Sequence, residues 1–317
     1  DEDLSRGLGD VYKRQLVTSS KKTIHLNEGD ESFLAEVSES TSALWNQVLE
    51  GIKQESRTHA PVDFDTDLPS TITSHDAGYI NKDLEKIVGL QTDQPLKRAI
   101  IANGGIRMVK NSCEVYGREL DPTVEKIFTE YRKTHNKACF DLYTKEILAC
   151  RKSGIITGLP DAYGRGRIIG DYRRIALYGI DFLKADKKEQ YNSTQTFLER
   201  GGDLEKTLRL REEIADQVQA LEDIRQMGLK YGIDMSLPAK TAQEAIQFTY
   251  FGYLAAVKSQ NGAAMSLGRT STFLDVYLER DIANGLIDES QAQEMIDHFI
   301  MKLRMVRFLR TPEYDLS

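Results

Sequence analysis

The chain has 317 residues, of which 40% are hydrophobic and 29% are charged, and its formal net charge at pH 7 is −7. This composition is typical of a soluble globular protein, and the acidic balance argues against a broad nucleic-acid-binding face. No run approaches the roughly 20 apolar residues that a membrane span requires, and the N-terminus lacks the residue order of a signal peptide, so we expect a cytoplasmic protein without membrane contact.

Two stretches in the first half of the chain have the pattern of helices. Asp121 followed by Pro122 combines a capping side chain with a proline suited to the first helical position, and we predict a helix from there to near His135. Residues 39–53 also form a predicted helix, because their apolar side chains recur at helical spacing. These side chains are Leu44, Trp45, Val48, Leu49 and Ile52.

Strands are harder to see in this sequence. Residues 98–101, 106–109 and 155–157 are short β-prone runs beside glycine turns, and we predict a strand in each. Strands that alternate with helices favour the α/β fold class.

Three helices are predicted in the second half. Residues 204–231 form a long stretch rich in charges, which indicates a solvated outer face. Thr241 and Glu244 form a capping box before a helix that runs through Val257, and its aromatic and aliphatic content predicts a buried helix. The run that begins at Asp288 is a second capping box, followed by an apolar helical pattern.

The segment from Gly158 to Arg174, here called the glycine-arginine segment, holds four glycines, one proline and four arginines in seventeen residues. Glycine lets the backbone approach a ligand closely, and guanidinium groups match carboxylates and phosphates. Composition alone supports two interpretations equally, an anion-holding loop and a surface turn with solvated arginines.

Five segments of the sequence stand out together, namely residues 58–65, 71–80, 158–174, 258–265 and 303–314. They resemble the pyruvate formate-lyase family of glycyl radical enzymes, and the resemblance runs from about Glu28 to about Asp315. One alternative within the family is the 2-oxobutyrate-preferring formate-lyase.

The resemblance implies a fold and a domain organisation. Its fold is a ten-stranded α/β barrel of two antiparallel half-barrels, and the chain would be the mainly helical N-terminal part of this barrel, truncated. Residues 16–317 would be an incomplete N-terminal portion of the family domain. Residues 1–15 match nothing in the family pattern, hold seven charges and show no apolar periodicity, so we expect a disordered or artefactual leader.

The family's site residues can be carried over one by one. Arg167 matches the arginine that clamps the pyruvate carboxylate, while Arg165 is expected to have a structural partner. Ala263 matches a small residue that lines the pyruvate pocket, although on sequence alone close helix packing through Gly262 and Ala263 is the better explanation. Tyr163 matches an aromatic residue at the pocket edge, and the alternative is a core tyrosine with a hydrogen-bonded hydroxyl.

A second set of family positions points to coenzyme A. Phe140, Arg151 and Lys152 match an aromatic platform beside basic groups, which would suit an adenine and its phosphates. Aromatic and basic residues also occur together by chance on many helices.

The family reaction converts pyruvate and coenzyme A into acetyl-CoA and formate. It uses a glycyl radical near the C-terminus and two adjacent cysteines, and neither feature occurs here, since Cys113, Cys139 and Cys150 are isolated. We therefore expect no catalytic residue in this chain, which would be inactive alone. The resemblance further implies a radical-SAM activating enzyme, a homodimer and a place in anaerobic glucose metabolism. A non-catalytic helical or dimerisation fragment is the alternative.

Histidines and basic residues raise two further hypotheses. His59 and His75 lie near acidic residues but lack the spacing of metal ligands, so we interpret them as hydrogen-bonded core or loop histidines and expect no metal. The basic run Lys302, Arg304, Arg307 and Arg310 has helical spacing, which favours the solvated end of a helix over a phosphate site.

Overall fold

The structure is a computed structural model, and it describes residues 36–100, 106–132, 141–156, 168–260, 265–307, 309 and 312. The predicted leader, residues 1–15, lies outside them. Helices predominate in the described part, and four short strands form two separate two-stranded parallel sheets there. None of the described helices combines the length and the apolar character needed to cross a membrane.

Helix α1 spans Glu39–Thr58 and confirms the first predicted helix, which runs five residues further than expected. The Ser38 side chain caps it by accepting a hydrogen bond from the Thr41 backbone N–H at 3.1 Å. The helix ends where His59 adopts a left-handed conformation with φ of 50°. Its Leu44 and Val48 side chains are buried.

The first sheet pairs β1 (Phe64–Pro69) with β2 (Arg98–Ile100) in parallel, and the predicted strand at residue 98 is confirmed. Helix α2 follows at Ile106–Tyr116, so the strand predicted over residues 106–109 is wrong. The buried Val109 and Cys113 are four residues apart and lie on one helical face. This four-residue spacing of buried side chains extends beyond residues 106–109, the short run that suggested a strand.

Helix α3 spans Pro122–Lys126 and is capped by Asp121, whose side chain accepts from the Thr123 N–H at 2.6 Å. A π turn, Ile127–Tyr131, extends it, and Arg132 is already extended with φ of −116° and ψ of 131°. The predicted start is confirmed, and the helix ends four residues before His135.

Helix α4 spans Lys145–Lys152 and buries no residue. Gly154 follows with φ of 78°, and the N–H groups of Ile155 and Ile156 both bond to the Cys150 carbonyl at 3.0 and 3.4 Å. These bonds wrap the chain around the helix end, so the strand predicted from Ile155 is wrong at residues 155 and 156. Thr157 lies outside the described residues.

Two long helices, α5 (Arg173–Glu199) and α6 (Leu204–Lys230), form a hairpin. The sequence predicts α6 within one residue, and its outer face is solvated as expected, whereas α5 was not predicted. Gly179 interrupts α5 with φ of 73° and ψ of 160°. The break lets the Ile180 N–H donate to the Met235 carbonyl at 2.9 Å.

Helix α7 (Ala242–Gln260) lies at the centre of the main core. The predicted capping box is present, because the Glu244 N–H donates to Thr241 Oγ1 at 3.2 Å and the Thr241 N–H to Glu244 Oε2 at 3.4 Å. Its burial is also as predicted. The fully buried residues on this helix include Ala245, Ile246, Tyr250, Phe251 and Leu254.

The second sheet pairs β3 (Ile168–Ile169) with β4 (Met265–Ser266), again in parallel. Helices α8 (Thr270–Ala283) and α9 (Glu289–Met305) follow and pack against α7. Asp288 and Gln291 form the capping box that the sequence predicts at the start of α9.

Candidate functional site

The site residues predicted from the sequence fall into two groups. Arg167, Tyr163, Ala263 and Phe140 lie outside the described residues. Arg151 and Lys152 are described, at the end of α4. The structure therefore describes the strands that border Arg167 and Ala263, and it describes the side chains of Arg151 and Lys152 directly.

The strand pair β3–β4 borders both predicted pyruvate-binding segments. Ile168, the first residue of β3, directly follows Arg167, and Met265, the first residue of β4, directly follows residue 264. The two strands are parallel, and Ile168 pairs with Met265. Two segments that are about a hundred residues apart in sequence therefore lead into neighbouring positions of one sheet.

Tyr172 connects the start of α5 to α7 close to this strand pair. Its ring meets the Tyr253 ring edge to face, with centroids 5.8 Å apart. A Cβ added to Gly252 would approach Ile175 Cδ1 to 3.0 Å and Tyr172 Cβ to 3.4 Å, so α5 and α7 pack closely here. Burial, and next the neighbouring Tyr253, raise the pKa of the Tyr172 hydroxyl.

The predicted coenzyme A residues lie on a short exposed helix. Thr144 caps α4 by accepting from the Ile147 N–H at 3.3 Å, and the Arg151 guanidinium lies 5.6 Å from the centroid of the Tyr143 ring. Lys152 is exposed. The structure thus places the aromatic ring of Tyr143 beside Arg151, a contact that was not predicted. No local spacing signals this contact, because Tyr143 lies before the helix, which begins at Lys145.

A buried polar cluster lies behind β1. His75 Nε2 is 2.8 Å from Asp65 Oδ2, and Lys97 Nζ is 2.8 Å from Asp65 Oδ1 and 3.0 Å from Asp93 Oδ1. His75 Nδ1 lies 2.8 Å from Ser74 Oγ. Burial alone would lower the Lys97 pKa, but the hydrogen bonds to the two carboxylates outweigh it and raise that pKa.

One ligand atom from each of Asp65, His75 and Asp93 lies within 4.8 Å of the others, a spacing that could hold a metal ion. The Lys97 ammonium already bonds to both carboxylates, so a cation would have to displace it. His75 is the hydrogen-bonded core histidine that the sequence analysis favours, and His59 is exposed at the end of α1.

Lys258 lies near this cluster, in the last turn of α7. The residue is only 4% exposed. Ser70 Oγ donates a hydrogen bond to the Lys258 carbonyl at 2.8 Å, which fixes the helix end against the chain after β1. Burial, and next the repulsion from Lys230, lower the Lys258 pKa to about 8, although Asp65 opposes this shift.

A second buried polar cluster connects α9 to the loop before β2. Lys302 Nζ and Glu85 Oε2 are 2.5 Å apart, and each side chain is 1% exposed. The prediction that the basic run is the solvated end of a helix is therefore wrong for Lys302, because its helical face turns towards Glu85 and the core. Arg304 is exposed as predicted, and Arg310 lies outside the described residues.

His298 belongs to the same cluster. Its Nδ1 accepts a hydrogen bond from the Lys86 backbone N–H at 3.0 Å, so Nε2 carries the proton and donates to Thr41 Oγ1 at 3.1 Å. This neutral tautomer agrees with the lowered pKa of His298, whose largest cause is burial of the ring.

A cleft of about 610 Å³ lies between the loop that carries Tyr79, the turn after α6 and the start of α7. Several of its lining groups bond to one another. Gln247, for example, accepts from the Val88 N–H at 2.8 Å and donates to the Val88 carbonyl at 2.9 Å. The lining contains both positive and negative side chains, such as Lys86 and Asp234. The cleft therefore does not select for either an anionic or a cationic ligand.

Solved structures with similar folds include a glycyl radical enzyme and dehydratases. A structure from Roseburia inulinivorans, described by its 1,2-propanediol dehydration, has a TM-score of 0.64 at 15% identity and covers 90% of this chain and 42% of its own. A glycyl radical enzyme from Archaeoglobus fulgidus has a TM-score of 0.53 at 18% identity and covers 86% and 39%. The predicted fold class is confirmed: this is the mainly helical part of a glycyl radical enzyme fold.

The sequence comparisons are more specific. The family model "Pyruvate formate lyase-like" matches residues 13–317, and the chain belongs to this family. The match includes the last three residues of the predicted leader.

Three curated relatives match 288 residues, or 91% of this chain. Formate acetyltransferase 1 of Escherichia coli (strain K12) is 71% identical, and formate acetyltransferase of Haemophilus influenzae is 69% identical. The PFL-like enzyme TdcE of Escherichia coli (strain K12) is 64% identical. The chain spans 37% or 38% of the length of these relatives.

Proposed function

We propose that the full-length protein containing this chain is a formate C-acetyltransferase, which converts pyruvate and coenzyme A into acetyl-CoA and formate. The observation that carries the proposal is the 71% identity to Formate acetyltransferase 1 across 91% of the chain. In this reaction the bond between the carboxylate carbon and the carbonyl carbon breaks. The carboxylate must therefore be held at a fixed angle while the acetyl group passes to a thiol.

Arg167 is the residue that we propose for the carboxylate. A guanidinium fork binds a carboxylate through two parallel hydrogen bonds, which fixes both its position and its orientation. The β3–β4 pair supports this role, because β3 begins directly after Arg167 and pairs with β4, which begins two residues after Ala263. We propose that Ala263 and Tyr163 line the same pocket.

Coenzyme A is the proposed second substrate. Arg151 and Lys152 on α4 would hold its phosphates, and Phe140 would stack on its adenine. The contact between Arg151 and Tyr143 supports a ring-and-cation surface at this helix.

The remaining chemistry belongs to parts of the protein beyond this chain. A glycyl radical and a pair of adjacent cysteines would supply radical and acyl-transfer chemistry, so we propose that this chain alone is inactive. The full-length protein would be a cytoplasmic homodimer in anaerobic glucose metabolism, activated by a radical-SAM enzyme. We also propose that residues 1–15 take no part in the folded domain and that residues 16–317 are its N-terminal portion.

A 2-oxobutyrate formate-lyase is the second candidate, as the alternative that the family resemblance leaves open. Turnover of the full-length protein with pyruvate and with 2-oxobutyrate, compared as kcat/KM, distinguishes them.

The decisive experiment for the clamp is Arg167→Lys in the full-length enzyme. We expect turnover to be lost while the glycyl radical signal in electron paramagnetic resonance is retained, because a point charge cannot replace the guanidinium fork. Arg165→Lys is the matched control, with the same change two residues away, and should retain most activity. Unchanged pyruvate kinetics in Arg167→Lys at normal radical content would refute the assignment.

A further inference from the structure

We propose that Tyr172 is a positioning residue for the proposed pyruvate site, because its ring holds the end of β3, the strand that follows Arg167, against α7, the helix that precedes Ala263. It acts through these two elements and does not touch the substrate. This role rests on the proposed function, which supplies the ligand, pyruvate.

Tyr172 lies where the chain turns from β3 into α5. It follows the last residue of β3 by three positions and comes directly before the first residue of α5. The residue is 9% exposed and belongs to the main core. A large side chain at this turn can contact both the end of the strand and the central helix.

The Tyr172 ring packs on the backbone of Gly170, the residue directly after β3. A Cβ added to Gly170 would lie 2.3 Å from Tyr172 Cζ, 2.4 Å from Cε1 and 2.7 Å from the hydroxyl oxygen. Carbon atoms in van der Waals contact are about 3.5–4.0 Å apart, so the ring fills the space that any side chain at position 170 would need. The close approach of ring and backbone therefore requires glycine at this position.

Helix α7 holds the same side chain from another direction. The Tyr172 ring meets the Tyr253 ring edge to face, with centroids 5.8 Å apart, which is a favoured arrangement of aromatic rings. A Cβ added to Gly252 would lie 3.4 Å from Tyr172 Cβ, so the start of the side chain is also in close contact with the helix. Contacts with two elements keep the ring from moving away from Gly170.

These contacts are a second connection between the two segments proposed for the pyruvate site. The first is the pairing of Ile168 with Met265, which joins the strands that follow Arg167 and Ala263. Tyr172 joins the end of β3 to α7, which lies before Ala263. Two connections fix the relative position of two segments more closely than one does. A displacement of about 1 Å can cost a factor of about 100 in rate.

The ring of Tyr172, and not its hydroxyl, has this role. Within the described part of the chain the hydroxyl oxygen is buried without a hydrogen-bond partner. Burial raises the Tyr172 pKa, and the nearby Gly170 backbone opposes this rise without completing a hydrogen bond to the hydroxyl. An unpaired buried hydroxyl does not stabilise a fold, so a phenylalanine should hold the two elements equally well.

The kinetic test compares full-length variants at matched glycyl radical content. We expect Tyr172→Leu to lower kcat/KM for pyruvate about tenfold or more and to leave the KM for coenzyme A unchanged, while Tyr172→Phe stays within about twofold of wild type. Phe299→Leu is the matched control, because Phe299 is a buried aromatic residue of the same core that lies on α9. A loss of kcat/KM in Tyr172→Leu no larger than in Phe299→Leu or Tyr172→Phe overturns the proposal.

Gly170→Ala disturbs the same contact from the side of the strand. We expect a similar loss of kcat/KM for pyruvate, because the added methyl group displaces the ring. Combined with Tyr172→Leu, the loss should be smaller than the product of the two single losses, because both changes remove one contact. Independent losses count against the proposal. If Tyr172→Leu does not fold, Gly170→Ala decides alone, and wild-type pyruvate kinetics in that variant refute the role of Tyr172.

Calorimetric titration with sodium pyruvate separates this role from the proposed function, because it needs neither the radical nor turnover. In the unactivated full-length protein, Tyr172→Leu should raise the Kd for pyruvate about tenfold or more, and Tyr172→Phe should not. If the wild-type protein binds pyruvate but forms no formate, the proposed function fails and these Kd values decide on Tyr172. A wild-type protein that does not bind pyruvate overturns both.

Discussion

Gly179 offers a sharp test of how α5 is held against the core. Its φ of 73° and ψ of 160° belong to a region that only glycine occupies readily, and a side chain there costs roughly 1–3 kcal/mol. A Cβ at this position would lie 2.5 Å from the Ser236 carbonyl oxygen and 2.6 Å from the Leu237 carbonyl carbon. Both are backbone atoms and cannot rotate away, so overpacking adds roughly 1–3 kcal/mol.

We therefore expect Gly179→Ala to lower the free energy of unfolding by about 2–6 kcal/mol. The substitution pushes apart the backbone bonds that cross the break, among them Ile180 N–H to the Met235 carbonyl at 2.9 Å and Ala239 N–H to the Ala176 carbonyl at 2.8 Å. The measurement is urea unfolding followed by far-ultraviolet circular dichroism. The urea concentrations at the midpoint are compared between the two proteins, provided that the dependence of the free energy of unfolding on urea is unchanged.

Gly232→Ala is the matched control. Gly232 has φ of 75°, but a Cβ there would meet nothing within 4 Å. Gly232→Ala should therefore lower the free energy of unfolding only through backbone strain, by about 1–2 kcal/mol. If Gly179→Ala destabilises the protein no more than Gly232→Ala does, the close approach at Ser236 is not what requires glycine, and the reasoning fails.

Two further predictions concern the buried cluster around α9. Burial lowers the pKa of His298 in the folded protein below its ordinary value of 6.5. As the pH drops below about 6.5, the unfolded chain therefore takes up a proton at this histidine more readily than the folded protein does. The free energy of unfolding should fall with the pH in this range. Unfolding in urea at about pH 7.5 and pH 5.5 should show a smaller loss in His298→Gln, and an equal loss would contradict the assignment. Lys302→Met should cost about 3–5 kcal/mol, because it leaves the Glu85 carboxylate buried without its cation. Adding Glu85→Gln should recover much of that cost in the same assay, and a double variant as unstable as the single one would argue against the pair.

The predicted site was only partly accessible to sequence reasoning. Arg167 and Ala263 stand out through the family resemblance, and their roles stay predictions because both lie outside the described residues. Lys258 belongs to one of the five segments that resemble the family, yet nothing in the sequence indicates that this residue is buried. Tyr143 was missed because a ring and a guanidinium eight residues apart meet only when α4 has formed.

Features that depend on residues close together in the chain follow from the sequence alone. The capping boxes at Thr241 and Asp288 and the start at Asp121 agree with the structure, because a cap is a contact between residues two or three positions apart. The burial of α7 also follows from its composition, which leaves little polar surface.

Tertiary structure decided the features that depend on distant partners. Residues 106–109 form a helix because Val109 and Cys113 pack on one face against a core that includes Phe64. Lys302 is buried because Glu85, 217 positions away, neutralises it. The pairing of β3 with β4 brings together two short strands without a strong local signal, because strand pairing is a long-range contact that local propensity does not encode.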